Sequence, residues 1–254
     1  MRHYGLIGQP LAHSHSPSIF ARYCGSHGID DCRYSLYPLV AEQTGYEALH
    51  SWVADNDIRG FNVTIPYKKN ILSSLDSLST EASAIGAVNC VEVSRQAGGV
   101  VLKGHNTDAP AFEQTLCPLL RPHHRSALVM GTGGAAEAVA YALRRLGIDY
   151  CFVSRNPSRS AHPGQTLTYG QAIEQVDYRC LLINATPVGM MPYDDASPWP
   201  EPELLSPRHL CYDLVYNPAP TLFLSEAAHQ GAAVFGGAAM LYRQAELSYQ
   251  IWHL

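Results

Sequence analysis

A glycine-rich turn between an apolar run and a helical pattern restricts this chain to very few folds. Residues 126–130 (SALVM) have the composition of a buried strand, the run 131–136 (GTGGAA) follows at once, and a helical pattern then continues to Arg145. In this G-x-G-x-x-A order, Gly131 permits a tight turn, Gly133 lets the backbone approach a pyrophosphate, and Ala136 packs closely on the strand. The helix N-terminus offers free N–H groups to phosphates. We therefore predict a dinucleotide-binding domain; a glycine-rich turn without a ligand is the alternative.

The next strand indicates which dinucleotide is bound. It ends at Ser154, and Arg155-Asn156-Pro157-Ser158-Arg159 follows. A site for NAD usually ends this strand with an acidic residue, which binds the ribose hydroxyls and would repel a 2′-phosphate. Here two arginines would instead attract that phosphate through charge-assisted hydrogen bonds. NADP is therefore favoured over NAD, although Glu137 in the first turn of the helix would oppose a bound pyrophosphate.

Short apolar runs alternate with helical patterns along almost the whole chain, which predicts an α/β fold with parallel sheets and helices on both faces. The predicted strands are 3–8, 32–38, 58–65, 87–93, 99–104, 126–130, 149–154, 180–184, 210–215 and 232–235. The predicted helices are 16–27, 41–55, 67–75, 79–85, 108–119, 134–146, 219–230 and 238–252.

Composition breaks near 118–125 and at 235–237 suggest two domains. We assign 1–107 and 238–254 to an α/β domain, to which the last helix returns, and 108–237 to a doubly wound, Rossmann-type domain. We expect a cleft between the two and a surface loop at 192–207.

Composition argues against several classes of function. The chain has 254 residues and a formal net charge of −5, with no basic run, which argues against nucleic acids and anionic membranes as partners. Its seven cysteines form no C-x-x-C pair, which indicates reduced thiols in the cytoplasm. We expect neither a signal peptide nor a membrane-spanning segment. The twelve histidines show no ligand spacing, so no metal is expected.

One predicted strand ends in polar groups suited to a small, hydroxylated ligand. In residues 61–65, three apolar side chains alternate with Asn62 and Thr64, and Pro66 ends the strand shortly before Lys68. Ligands of α/β proteins bind at strand ends, where side chains project from a rigid sheet. The chain has only three lysines among 17 lysines and arginines, and lysine can release its proton where arginine cannot. A strand that leads into a surface lysine is the alternative interpretation.

Several further segments make the chain recognisable. They are 8–17 (GQPLAHSHSP), 85–89 (IGAVN), 106–108 (NTD), 184–190 (NATPVGM), 212–216 (YDLVY) and 237–244 (GAAMLYRQ). Together with the strand at 61–68 and the glycine-rich turn, this ordered set resembles the shikimate dehydrogenase family from Gly5 to Gln244. The resemblance implies reversible, NADPH-dependent reduction of 3-dehydroshikimate to shikimate, a step of chorismate and aromatic amino acid biosynthesis. It also implies a substrate domain, a cofactor domain and catalysis between them.

The resemblance implies which residues contact the substrate. In that family, side-chain hydroxyls hold the substrate carboxylate, and the matching residues are Ser14, Ser16 and Tyr216. The ring hydroxyls are contacted by residues that match Thr64, Lys68, Asn89, Asp108 and Gln244. Lys68 and Asp108 match the catalytic pair, in which an ammonium stabilises the developing oxyanion and donates its proton. From the residues alone, Ser14, Ser16 and Asp108 are equally helix caps, Asn89 a turn residue and Gln244 an exposed helix residue.

The cofactor contacts are implied in the same way. Gly131, Gly133, Gly134 and Ala135 match the family positions that contact the pyrophosphate. Ser154, Arg155, Asn156 and Arg159 match the loop that contacts the 2′-phosphate. Thr186, Leu214 and Gly237 match positions near the nicotinamide. Four residues depart from the family pattern: Ser154 and Asn156, where Ser154-Arg155-Asn156 replaces Asn-Arg-Thr, Cys90, which replaces a threonine, and Ala109, which replaces a glycine.

Two other functions compete with this interpretation. One is a related enzyme that oxidises quinate as well as shikimate, with NAD or NADP as cofactor. The other is a non-catalytic NADP-binding regulator, which would have no need for both Lys68 and Asp108. The expected partners are small molecules, and the expected assembly is a monomer or a homodimer.

Overall fold

The computed structural model describes residues 1–12, 14–192 and 194–253, which form two compact units. The first unit comprises Met1–Asp108 and Tyr242–Leu254, and the second comprises Ala109–Leu241. Each unit is built on its own six-stranded sheet. Within the described residues, no helix combines the length and the apolar character needed to cross a membrane.

The sheet of the first unit is mixed rather than parallel. Its strands are β1 (Arg2–Ile7), β2 (Cys32–Tyr37), β3 (Ile58–Val63), β4 (Ser77–Leu78), β5 (Cys90–Gln96) and β6 (Gly99–His105), in the order β2-β1-β3-β5-β6-β4. Strand β1 is parallel to β2 and β3, whereas β5 is antiparallel to both β3 and β6. The prediction of wholly parallel sheets is wrong here because only two residues join β5 to β6, which permits a hairpin but no parallel crossover.

The helices of the first unit follow the predicted positions, although Ala41–Thr44, at the start of the predicted helix 41–55, forms a 3₁₀ helix. They are α1 (Ser16–His27), α2 (Tyr46–Asp55) and α3 (Thr80–Ile85), and a fourth, α4 (Asp108–Leu116), begins at the last residue of the unit's first segment. The predicted helix at 67–75 is instead a 3₁₀ helix over Asn70–Ser74. The hydroxyl of Ser73 donates to the carbonyl oxygen of Asn70, and such a local hydrogen bond competes with a regular α-helix.

The sheet of the second unit is wholly parallel. Its strands are β7 (Ser126–Met130), β8 (Asp149–Val153), β9 (Thr166–Leu167), β10 (Leu181–Asn184), β11 (Leu210–Asp213) and β12 (Ala233–Gly236), in the order β12-β11-β10-β7-β8-β9. The order reverses at β7, which lies between β10 and β8. In an open parallel sheet, the crevice beyond the carboxyl ends of the strands at such a point binds ligands. The predicted doubly wound α/β fold is confirmed, and the glycine-rich turn lies at this reversal.

The remaining helices include one that the sequence interpretation missed. They are α5 (Gly134–Arg145), α6 (Tyr169–Ile173), α7 (Leu222–His229) and α8 (Ala238–Ile251). Helix α6 and the short strand β9 were not predicted. The signal for α6 is a capping box, in which Thr168 and Gln171 exchange side-chain and backbone hydrogen bonds. The run 192–207, apart from residue 193, which lies outside the described part of the chain, is only partly a surface loop, because Trp199 is buried in the core of this unit.

Helix α8 ends against the first sheet. Trp252, the residue after α8, stacks on Tyr4 of β1 at 5.1 Å between ring centroids. Its indole N–H donates to the carbonyl oxygen of Val91 on β5 at 2.9 Å. These contacts explain why the last residues of the chain belong to the first unit.

Candidate functional site

A buried ion pair lies at the centre of the polar residues of the first unit. Lys68 follows the end of β3, and Asp108 is the first residue of α4. The ammonium Nζ of Lys68 lies 2.6 Å from Oδ2 of Asp108, and the two side chains are only 16% and 7% exposed. The N–H of Val88 donates to the carbonyl oxygen of Lys68 at 2.8 Å, which holds the lysine backbone. An ammonium fixed in this way can stabilise a developing oxyanion and transfer a proton to it.

Asn89 holds the second oxygen of the same carboxylate. Its Nδ2 donates to Oδ1 of Asp108 at 2.9 Å, to Oγ1 of Thr107 at 2.9 Å and to Oε1 of Gln244 at 3.3 Å. Its Oδ1 accepts from the backbone N–H of Thr107 at 2.7 Å. The structure therefore brings Lys68, Asn89, Asp108 and Gln244 into one cluster, although they come from four separate parts of the chain. Asn89 is buried in this cluster rather than exposed in a turn.

Behind this cluster lies a buried network that the sequence interpretation did not assign. Asn62 on β3 accepts at Oδ1 from the hydroxyl of Tyr34 at 2.9 Å and donates through Nδ2 to Oγ of Ser248 at 2.9 Å. The Ser248 hydroxyl donates to the backbone oxygen of Gln244 at 2.9 Å and lies 3.3 Å from Oγ1 of Thr107. The only sequence signal for these residues is their polarity at core-facing positions of a strand and a helix.

We expect Ser248→Ala to lower the free energy of unfolding by about 2 kcal/mol, because one donor of the buried Asn62 amide loses its partner. The same change should raise KM for the substrate of this cluster, because Ser248 supports both Thr107 and the backbone of Gln244. Urea unfolding and steady-state kinetics measure the two effects. Ser94→Ala, which removes an exposed serine of β5, is the matched control. Equal stability and KM for both variants would contradict the prediction.

Ser14 and Ser16 lie together at the start of α1. The hydroxyl of Ser14 is 3.2 Å from that of Ser16 and accepts from the backbone N–H of Ser16 at 3.3 Å. No side chain caps the helix at His15. Burial raises the pKa of Tyr34 well above its usual value, and a hydrogen bond with Ser16 acts in the opposite direction. The half-buried serines therefore lie at one end of the hydrogen-bond network that continues through Tyr34 to Asn62.

Thr64 and Tyr216 complete the set of predicted substrate residues. Thr64 follows β3, donates its N–H to the carbonyl oxygen of Ile7 at 2.9 Å, and accepts from the N–H of Tyr67 at 2.9 Å. It therefore begins the turn that leads to Lys68. Tyr216 is half-buried and lies in the second unit, two residues after Leu214.

The glycine-rich turn of the second unit has the shape that a phosphate group requires. Gly131 has a φ of 108°, and a Cβ there would lie 3.1 Å from the carbonyl oxygen of Ala185, so a side chain is strained and crowded. A Cβ on Gly133, the residue that precedes α5, would meet no atom within 4 Å. The backbone at Gly133 is thus open to a ligand, at the N-terminus of a helix of twelve residues. This geometry fits the pyrophosphate of a dinucleotide, and Gly134 and Ala135 are the first two residues of that helix.

Glu137 has a partner within the same unit. Its Oε2 lies 3.1 Å from Nε2 of His162, whose ring stacks on Phe152 at 5.4 Å. When His162 is protonated, it offsets the negative charge that Glu137 places in the first turn of α5. The sequence interpretation, which considered Glu137 against a bound pyrophosphate, missed this histidine.

The segment after β8 is folded by its own small polar side chains. The N–H of Asn156 donates to Oγ of Ser154 at 3.2 Å, and the hydroxyl of Ser158 donates to Oδ1 of Asn156 at 2.7 Å. A 3₁₀ helix over Pro157–Arg159 follows. Arg155 and Arg159 are exposed. Two cationic side chains on an ordered turn, with no acidic residue at the end of β8, fit a 2′-phosphate.

A third group of predicted residues lies at the carboxyl ends of β10, β11 and β12. Asn184 accepts at Oδ1 from the N–H and the hydroxyl of Thr186, at 3.0 Å and 2.7 Å. Its backbone oxygen accepts from the N–H of Leu214 at 3.0 Å. A Cβ on Gly237 would clash with the backbone oxygen of Leu214, so only glycine fits there. The structure therefore brings Thr186, Leu214 and Gly237 together.

Asp213 is a buried carboxylate beneath this group and was not predicted. It accepts from Nδ2 of Asn184 at 2.8 Å, from the N–H of Val215 at 2.9 Å and from the hydroxyl of Thr221 at 2.7 Å. Burial raises the pKa of the Asp213 carboxyl to about 6, against these three hydrogen bonds, which lower it. Its sequence signal was a lone acidic residue at the end of an apolar strand.

We expect the raised pKa of Asp213 to make the stability of the protein depend on pH. Because the folded state holds this proton more tightly than the unfolded chain, the stabilisation is complete below the unfolded pKa, near 4, and is lost as pH rises through about 6. Between about pH 4 and about pH 7, the wild type should lose about 2 kcal/mol relative to Asp213→Asn, which cannot titrate. Urea unfolding across this range measures the difference. A difference that does not change with pH would contradict the assignment.

Within residues 1–12, 14–192 and 194–253, no group of three or more His, Cys, Asp or Glu has the arrangement to hold a metal ion. The polar groups of the first unit form a cluster of an ammonium, a carboxylate and an amide, and the second unit has an open glycine-rich turn at the N-terminus of α5.

Comparison with known proteins agrees with this arrangement. A family model described as the shikimate dehydrogenase substrate binding domain matches residues 6–91. A shikimate dehydrogenase (NADP(+)) of Thermus thermophilus is 37% identical over 256 residues, which covers 99% of this chain and 92% of that protein. Among solved structures, a shikimate 5-dehydrogenase of Thermus thermophilus in complex with NADP(H) and shikimate has a TM-score of 0.84 and 36% identity, over 99% of this chain and 93% of that one. The quinate dehydrogenase of Corynebacterium glutamicum in complex with NAD has a TM-score of 0.83 and 26% identity, over 99% and 93%.

Proposed function

Since the chain belongs to the shikimate dehydrogenase family, as its motifs predicted, we propose that it catalyses the reversible, NADP-dependent reduction of 3-dehydroshikimate to shikimate. This reaction is a step of chorismate and aromatic amino acid biosynthesis. The observation that carries the proposal is the 2.6 Å contact between Nζ of Lys68 and Oδ2 of Asp108, beside Asn89 and Gln244. An NADP-binding protein without catalysis would have no use for this cluster.

Lys68 performs the proton transfer. The hydride is supplied by NADPH when it is bound. As the ketone becomes an alcohol, its oxygen gains negative charge, and the ammonium of Lys68 stabilises that charge and donates a proton to the oxygen. In the reverse direction the neutral amine accepts the proton of the alcohol. Asp108 keeps Nζ in place, and Asn89 keeps Asp108 in place through its other oxygen.

The remaining polar residues of the substrate domain, which we assign to 1–107 and 238–254, orient the ring. Ser14 and Ser16, with Tyr216, donate to the carboxylate of the substrate. Thr64, Asn89 and Gln244 bind ring hydroxyls, together with the catalytic pair. The hydrogen-bond network from Ser16 through Tyr34 and Asn62 to Ser248 holds these residues in position.

The dinucleotide domain, which we assign to 108–237, binds NADP. Gly131, Gly133, Gly134 and Ala135 provide backbone N–H groups for the pyrophosphate. The 2′-phosphate is bound by Arg155 and Arg159, on a turn ordered by Ser154 and Asn156. Thr186, Leu214 and Gly237 adjoin the nicotinamide. The seven free cysteine thiols support the cytoplasm as the compartment of this reaction.

The second candidate function is oxidation of quinate, with NAD or NADP. The likeness to the Corynebacterium glutamicum quinate dehydrogenase in complex with NAD favours it. The absence of an acidic residue at the end of β8 and the two arginines that follow favour NADP instead.

A spectrophotometric assay of the purified protein distinguishes these functions. Shikimate and quinate are each offered with NADP and with NAD, and formation of the reduced cofactor is followed. The proposal expects the highest kcat/KM for shikimate with NADP. A higher value for quinate would favour the second candidate. No turnover with any of the four pairs, together with binding of NADP, would favour a regulator and contradict both enzymes.

A further inference from the structure

Two cysteines outside the proposed active site lie close enough to react with each other. Cys24 is in the last half of α1, and Cys32 is the first residue of β2. Helix α1 ends at His27, and Gly28, with a φ of 65°, reverses the chain so that β2 returns beside the helix. The two Sγ atoms are 3.2 Å apart, and both cysteines are free thiols.

We propose that Cys24 and Cys32 are a modification site, at which a hydroperoxide converts the two thiols into a reversible intramolecular disulfide. A disulfide requires the sulfur atoms to approach to about 2.05 Å. From 3.2 Å, this is a movement of about 1 Å, which rotation of the two side chains can supply. The fold of α1 and β2 therefore already brings the two sulfur atoms into contact before any oxidation.

The surroundings of the two thiols determine the order of the steps. Cys24 is 6% exposed, and burial raises the pKa of its thiol to about 12, so it stays protonated. Cys32 is half-buried and pairs in register with Arg2 of β1. Cys32 is therefore the thiol that meets the oxidant.

The chemistry balances without a cofactor of the protein. The Cys32 thiolate attacks one oxygen of the hydroperoxide and becomes a sulfenic acid, while the other oxygen leaves as water or an alcohol. The sulfur of Cys24 then bonds to the sulfenic sulfur, and the displaced hydroxyl leaves as water with the proton of Cys24. Two thiols lose two electrons, and the hydroperoxide gains them. A dithiol reductant reverses the reaction by exchange.

The disulfide should stabilise the first unit without disabling the proposed active site. It closes the short loop between Cys24 and Cys32, which restricts the unfolded chain. We expect the midpoint of thermal unfolding to rise by about 5 °C on oxidation. Ser16 is eight residues before Cys24 on the same helix, about 12 Å away, so turnover should change by less than about twofold.

Tryptic peptide mapping under non-reducing conditions tests the proposal. Trypsin releases both cysteines in the single peptide 23–33, between Arg22 and Arg33. After treatment of the wild type with hydrogen peroxide, this peptide should lose the mass of two hydrogen atoms and take up no alkylating label. Dithiothreitol should restore both labelled thiols. The variants Cys24→Ser and Cys32→Ser should not show this loss of two hydrogens, and Cys117→Ser, which removes an exposed thiol, should behave as the wild type.

Three results would overturn the proposal. Full labelling of peptide 23–33 under conditions that oxidise Cys117 would show that the pair does not react. Accumulation of a sulfinic acid at Cys32 would show that Cys24 does not capture the sulfenic acid. Linkage of either cysteine to Cys117 of a second molecule would show that the oxidation is intermolecular.

Discussion

Replacing Lys68 by methionine should lower kcat for shikimate oxidation by about 10³-fold, because the group that stabilises the oxyanion and transfers the proton is lost. The Kd for NADP should stay within about twofold, because the phosphate cradle at Gly133 belongs to the other unit. Steady-state kinetics and a fluorescence titration with NADPH measure the two quantities. Methionine keeps the aliphatic stem and the volume of the side chain, so the loss reports on the ammonium.

Lys103→Met is the matched control for this experiment. Lys103 is exposed on β6 of the same unit, so its replacement removes the same charge without touching the Asp108 cluster. The control should keep wild-type turnover. If Lys68→Met retained a kcat near the wild-type value while it remained folded by circular dichroism, the proton-transfer role would be wrong, whatever the activity of the control.

Replacing Arg155 by alanine should lower kcat/KM for NADP by about 100-fold and leave the value for NAD nearly unchanged. The side chain is proposed to form charge-assisted hydrogen bonds with the 2′-phosphate, which NAD lacks. The ratio of the two kcat/KM values, measured at one fixed shikimate concentration, is the informative quantity. It should fall towards unity in the variant.

Arg208→Ala is the control for charge. Arg208 is exposed in the same unit but precedes β11, so it lies at the amino ends of the strands, away from the turn after β8. The control should keep the wild-type preference for NADP. Equal losses for NADP and NAD in Arg155→Ala would mean that the arginine supports the fold of the turn rather than recognition of the phosphate.

Sequence predictions were accurate for the segment around the glycine-rich turn. The predicted strand 126–130 is β7 with the same bounds, and the predicted helix 134–146 is α5, one residue shorter. Both depend on local signals: an apolar run of strand length and glycines at a turn that a side chain would obstruct. The 3₁₀ helix at Asn70–Ser74 and the hairpin of β5 and β6 were predicted less well. The type of that helix depends on competition for backbone hydrogen bonds, and the direction of β5 depends on which strands pair with it.

For the polar sites, too, local signals were predictive and long-range contacts were not. Motif order indicated which residues belong to the candidate site, but no spacing along the chain shows that Lys68 and Asp108, forty residues apart, lie 2.6 Å from each other. The support from Asn62 and Ser248 was not predicted either, since each reads locally as one polar residue among apolar neighbours. Such pairs become visible only when strand pairing and helix packing bring distant segments together.

By itself, the amino-acid sequence determined the α/β class, the dinucleotide turn, the preference for a 2′-phosphate and the family, because these depend on periodicity, glycine positions and ordered motifs within short segments. Only the tertiary structure decided that Lys68 and Asn89 each hydrogen-bond to one carboxylate oxygen of Asp108. It also decided the burial that raises the pKa of Asp213 to about 6 and the contact between Cys24 and Cys32. Each of these depends on residues from different elements that come close together or bury one another. Such distances and burial are set by packing rather than by local propensity.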